Sequence, residues 1–142
     1  MRERLWGGNP FLQHASAQAW VAYAQGRAVG RISAQFDRLQ QQYHDDMSGS
    51  FGLIEAEDDP AVVAALLDTA AAWLRGHGAR RVRGPLNLSV NEECGLLVDG
   101  FDSPPVDELS LVETVIWLLA ARHEPLVLNS HYRCLLLVLN LF

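Results

Sequence analysis

The stretch Phe51-Gly52-Leu53-Ile54-Glu55-Ala56-Glu57-Asp58-Asp59-Pro60 decides the fold. Its first seven residues read as a strand, which ends in two aspartates and a proline. Asp59 is placed to cap a helix, and Pro60 suits the first helical position, where an N–H would have no partner anyway. Beyond it, Val63, Leu66, Leu67, Ala70, Trp73 and Leu74 recur at helical spacing, and Gly76-His77-Gly78 ends the run. Ala79-Arg80-Arg81-Val82-Arg83 then reads as a short strand that stops at Gly84-Pro85. A strand, a helix and a strand in that order predict a crossover, with the second strand parallel to the first.

Upstream, Gln18-Ala19-Trp20-Val21-Ala22-Tyr23-Ala24 and Ala28-Val29-Gly30-Arg31-Ile32-Ser33-Ala34-Gln35-Phe36 flank a turn at Gln25-Gly26-Arg27. Ile32, Ala34 and Phe36 alternate with Arg31, Ser33 and Gln35, a period of two that marks a half-buried strand. Residues 37–50 are polar and read as a loop with room for a helical turn. The first three strands suit an antiparallel meander. The fold class is α+β, with a mixed, mostly antiparallel sheet and a crossover helix.

Downstream, residues 84–106 form a long loop rich in Asn, Gly and acids. Leu109, Val112, Ile116, Leu119 and Ala120 make a helical stripe that stops at Pro125. The leucine-rich tail, Leu126-Val127-Leu128 and Cys134 to Phe142, reads as a closing hairpin that would be prone to aggregate if left exposed. The chain thus divides into residues 1–106 and a C-terminal helix and tail over 107–142.

Composition sets outer limits. The chain has 142 residues, 49% of them hydrophobic and 20% charged, enough apolar surface for one folded domain. The formal charge is -6 and all eleven basic residues are arginine, so there is no overall basic field to draw in nucleic acid. No run reaches the roughly 18 apolar residues of a membrane span, and Met1-Arg2-Glu3-Arg4-Leu5-Trp6 lacks a signal-peptide pattern. With Cys94 and Cys134 read as reduced thiols, these features predict a cytoplasmic protein. His14, His44, His77, Cys94 and His131 lack metal-ligand spacing, so no metal site is expected.

The middle of the chain resembles a bacterial branch of the GNAT superfamily of acyl-CoA N-acyltransferases. The resemblance covers about residues 9–105. It rests on Asn9-Pro10-Phe11, Gly30-Arg31-Ile32-Ser33-Ala34, Gly52-Leu53-Ile54-Glu55 and Gly100-Phe101-Asp102-Ser103-Pro104-Pro105. Above all it rests on Arg83-Gly84-Pro85-Leu86-Asn87-Leu88-Ser89-Val90-Asn91-Glu92-Glu93-Cys94-Gly95. It implies a sheet splayed between the third and fourth strands, with the pantetheine arm of acetyl-CoA or another acyl-CoA in the opening. It also implies acyl transfer to a small-molecule or peptide amine.

Three departures accompany it. The superfamily's glycine-rich pyrophosphate loop before the crossover helix is replaced by Glu57-Asp58-Asp59-Pro60. Proline removes a backbone donor, and each like-charge contact at ~4 Å would cost about 1 kcal/mol in water. Only about seventeen residues precede the hairpin, where the superfamily has a strand and helices. After Pro105 the resemblance stops, as it would in a truncated or frame-shifted reading frame.

Glu55 is the candidate general base, a role that needs burial to raise its pKa; the alternative is a solvent-facing glutamate. Asn87, Asn91, Glu92 and Glu93 either bind a polar substrate or hydrogen-bond their own loop. Arg80, Arg81 and Arg83 read as the charged guard of an edge strand, or as a phosphate contact. Cys94 reads as structural, with no paired base evident. The rival to an acyltransferase is a non-catalytic, partial GNAT-like module, a homo-oligomer or one held by a partner over its tail.

Overall fold

The computed structural model describes residues 8–88, 93–94, 96–97, 126–129 and 134–140. A short 3-10 turn, Pro10–Gln13, leads into a hairpin of β1 (Ala15–Ala24) and β2 (Arg27–Asp37). Helix α1 (Arg38–His44) and β3 (Ser48–Ala56) follow, then α2 (Pro60–Gly76) and β4 (Arg81–Gly84). Asp37 caps α1 by accepting the Leu39 N–H, and Asp59 caps α2 by accepting the Ala61 N–H, each at 2.8 Å. The polar stretch 37–50 therefore holds a true helical turn rather than only a loop.

The meander is as expected. β1 and β2 pair antiparallel, as do β2 and β3, and the crossover through α2 brings β4 parallel to β3. The result is an α+β fold around a mixed sheet. Helix α2 buries Val63, Leu66, Leu67, Ala70, Ala71 and Leu74 against Ile32, Ala34, Phe36, Phe51 and Val82. Trp73 stays half-buried at the margin, in an edge-to-face contact with Trp20 at 6.0 Å.

Two sequence expectations are corrected. Strand β4 is not an edge, because β9 (Cys134–Asn140) pairs antiparallel with it on the side away from β3. Arg81 is exposed within this interior strand, and Arg83 makes an ion pair with Asp46. Secondly, the polar face of β2 meets solvent at Arg31 but not further along, since Ser33 and Gln35 are both buried.

The tail forms the expected hairpin, β8 (Leu126–Asn129) with β9. Within the long loop, β5 (Leu86–Asn87) pairs with β6 (Glu93–Cys94), and β7 (Leu96–Leu97) pairs with β9. The helix expected around residues 109–120 lies outside the described residues. Among the described residues no helix is long and apolar enough to cross a membrane.

Candidate functional site

Strands β3 and β4 are paired only at Ser48–Arg81, Gly49–Val82 and Ser50–Arg83. Beyond these pairs β3 runs on to Ala56, while β4 stops at Gly84. On its other flank β3 is irregular. Between the pairs Arg31–Glu55 and Ser33–Gly52, Ile32 stands against both Leu53 and Ile54. This is a β-bulge, which turns a backbone group out of the ladder. Leu53 carries the distortion with φ +48°, a left-handed conformation that costs a residue with a Cβ about 1–2 kcal/mol.

The chain leaving β4 bends through a cis Gly84–Pro85 bond and crosses β3 at Gly52. The crossing is so close that a Cβ on Gly52 would lie 1.9 Å from the Leu86 carbonyl oxygen. That oxygen accepts the Leu88 N–H at 3.0 Å, closing a tight turn about Asn87. It also accepts Gln35 Nε2 at 2.6 Å. Within the turn, Asn87 Oδ1 accepts the Leu53 N–H at 2.8 Å. The amide displaced by the bulge is thus held by a side-chain carbonyl where β3 and β4 part. Buried beneath the crossing, Ser33 Oγ donates to Gln35 Oε1 at 3.5 Å.

Glu55 lies on the exposed end of β3, with its side chain 66% accessible, in an ion pair with Arg31 of β2. The burial asked of a general base at this position is not there. Glu57 is exposed and makes a two-pronged contact with Arg27, whose hydrogen bonds and charge hold its carboxyl below the usual range. Val21, Val29, Gly30 and Ala56, with the Arg31–Glu55 pair, line an open groove of about 390 Å³ beside these residues. The start of α2 is chemically unsuited to a phosphate, although a cavity of about 450 Å³ lined by Arg27, Glu57, Asp59 and Val62 lies beside it. Pro60 lacks an N–H, Asp59 takes the Ala61 N–H, and three carboxylates crowd the approach.

A second charged cluster sits at the opposite end of β3. Asp46 Oδ1 accepts the Ser48 N–H at 3.1 Å, and its other oxygen meets Arg83. Burial pushes the Asp46 carboxyl up, but hydrogen bonding from Ser48 and the charges of Arg83 and His44 outweigh it, leaving the pKa lowered. Among the described residues no His, Cys, Asp and Glu cluster could hold a metal ion.

Of the loop residues singled out in the sequence, Asn87 enters the site. Glu93 and Cys94 have their backbone in β6, paired with Asn87 and Leu86. Asn91 and Glu92 lie outside the described residues. Sequence reading missed Leu53, Gly52 and Gln35. One signal for the first two was present, since a glycine inside a strand pattern marks a bulge or a close backbone approach.

No family model and no solved structure matches the chain. Two curated proteins do. The chain is 48% identical over 103 residues to Protein YghO of Escherichia coli (strain K12), covering 72% of this chain and 26% of that protein. It is 54% identical over 99 residues to the Bacterial ceramide synthase of Caulobacter vibrioides (strain NA1000 / CB15N), covering 69% of this chain and 26% of that protein. The chain therefore spans about a quarter of the length of the curated relatives it matches.

Proposed function

We propose that this chain is the acyl-donor part of a GNAT-like N-acyltransferase, which moves an acyl group from acyl-CoA to an amine. The observation that carries the reading is the Leu53 N–H, turned out of the ladder at the parting of β3 and β4 and bonded to a carbonyl-type oxygen. Backbone strain of this kind persists where the surrounding structure enforces it, often at functional sites. A thioester carbonyl is the same class of acceptor as Asn87 Oδ1. In this reading the carbonyl replaces Asn87 on Leu53, and the N–H stabilises the negative charge that grows on its oxygen. The amine nitrogen bonds to the carbonyl carbon, the C–S bond breaks, and the thiolate leaves. The amine proton leaves to a water held at the Glu55 carboxylate, whose exposure and pairing with Arg31 suit it to hold that water rather than to act as a buried base.

The relative named a ceramide synthase supports the bond type, because ceramide is an amide. It also favours a long-chain acyl donor and a long-chain amine over acetyl transfer. The acid-capped start of α2 disfavours the donor's pyrophosphate, so in this reading binding relies on the thioester arm and the acyl chain. Asn91, Glu92 and Glu93 are assigned from the sequence to the acceptor side, while Asn87 holds the place that the acyl carbonyl takes. The chain is read as cytoplasmic.

Thermal unfolding with acetyl-CoA, palmitoyl-CoA and free CoA tests the reading, with thiol release in the presence of a long-chain primary amine. A ligand at ~100 times its Kd adds about 2.7 kcal/mol and raises the midpoint by several degrees. A shift with an acyl-CoA, together with thiol release, is expected. No shift with any of the three would overturn it. The same carboxylates at α2 favour a second reading, a non-catalytic module that works as a homo-oligomer or through a partner. That reading predicts no shift and a mass that rises with concentration.

A further inference from the structure

Gln35 lies in the middle of β2, on the face away from α2, and is 1% exposed. A primary amide taken wholly out of water is costly unless its hydrogen bonds are made, and an apolar residue would fill the same space. Its donor is spent on one group, the Leu86 carbonyl, at 2.6 Å. That carbonyl opens the tight turn that the Leu88 N–H closes, and Asn87 sits at the centre of the turn. Gln35 therefore holds the hinge from which the Asn87 side chain reaches Leu53 at 2.8 Å. Ser33 Oγ, itself buried, makes a long 3.5 Å contact with Gln35 Oε1, and the short bond to Leu86 fixes the amide.

We infer that Gln35 is a positioning residue for the acyl-donor site, setting the Leu53 N–H through Leu86 and Asn87. The inference rests on the reading of that N–H as the partner of the acyl carbonyl. The coupling itself is a property of the free protein and is testable without any donor.

The test is a double-mutant cycle read by amide hydrogen exchange in the ¹⁵N-labelled full chain. In Gln35→Met the Leu53 amide is expected to lose protection by about fivefold to tenfold, in line with one lost hydrogen bond. Phe51 and Ile54 on the same strand should change much less. Asn87→Ala should produce the same local loss at Leu53. In the double variant the Leu53 amide should exchange as in Asn87→Ala alone, because Gln35 acts only through that side chain.

A uniform loss of protection along β3 would mean a merely structural glutamine and would overturn the inference. So would an unchanged Leu53 in Gln35→Met, or equal and additive effects in the cycle. If Gln35→Met does not fold, Gln35→Asn replaces it. That variant keeps a polar amide but falls one methylene short of Leu86, and the same outcomes apply. Failure of acyl-CoA to bind would count against the acyltransferase reading and would leave the cycle's result standing.

Discussion

Leu53 and Asn87 are 34 positions apart, and a 2.8 Å hydrogen bond joins the backbone N–H of one to the side chain of the other. The bond spans the place where two parallel strands stop pairing. It exists because three local features coincide. The bulge frees the amide, Gly52 admits the crossing chain, and Gln35 anchors the carbonyl before Asn87.

The crossing makes Gly52 intolerant of any side chain. Gly52→Ala is expected to cost about 3 kcal/mol, the upper end for overpacking, because the clash is with backbone rather than a mobile side chain. Urea unfolding midpoints measure it. Gly76→Ala is the control, since an added Cβ there meets nothing within 4 Å and alanine is the better helix former. Equal effects at the two positions would contradict the close crossing.

Leu74 is fully buried between α2 and the sheet. Leu74→Ala should cost about 2–5 kcal/mol by removing apolar contacts and leaving a cavity. The exposed Arg31–Glu55 pair should count for little by comparison. Loss of either charge is expected to change stability by less than about 1 kcal/mol, falling further in high salt.

These contrasts separate what the sequence made legible from what it did not. Helix α2, its Asp59 cap and the three-strand meander follow from local periodicity and capping chemistry, which need only neighbouring residues. The parallel approach of β4 follows from the crossover rule. Burial of Ser33 and Gln35 was not legible, because the segment that covers them comes from residues 86–88. The interior position of β4 was hidden for the same reason, since its second partner is β9. Arginines on β4 suggested an edge, but Arg81 projects to solvent and Arg83 meets Asp46. Leu53 breaks the local rule outright, for leucine has no preference for a left-handed backbone, and only the adjacent Gly52 hinted at the bulge.

Acid should weaken the fold through Asp46 and Glu57. Both carboxyl pKa values are lowered in the folded state. Their contribution is therefore fully present above the unfolded values, near pH 4, and is lost as pH falls through the lower folded values. A pH series of thermal midpoints should show the fall below about pH 4, and Asp46→Asn should flatten it. The same slope in both proteins would remove Asp46 as a cause.

Glu55→Gln tests the proton acceptor apart from the fold. If the water held at Glu55 takes the amine proton, turnover should fall by about 10²–10⁴-fold with little change in stability. Unchanged turnover would leave proton removal to solvent and take Glu55 out of the mechanism.

The central claim is that an acyl carbonyl replaces Asn87 on the Leu53 amide. It is tested most directly by following the Leu53 ¹H–¹⁵N resonance while the labelled protein is titrated with palmitoyl-CoA, with free CoA as the reference. A saturable shift at Leu53 that free CoA does not reproduce, accompanied by movement of the Asn87 side-chain amide, is the predicted result. Saturable binding seen elsewhere in the spectrum, with Leu53 and Asn87 unmoved, would contradict it.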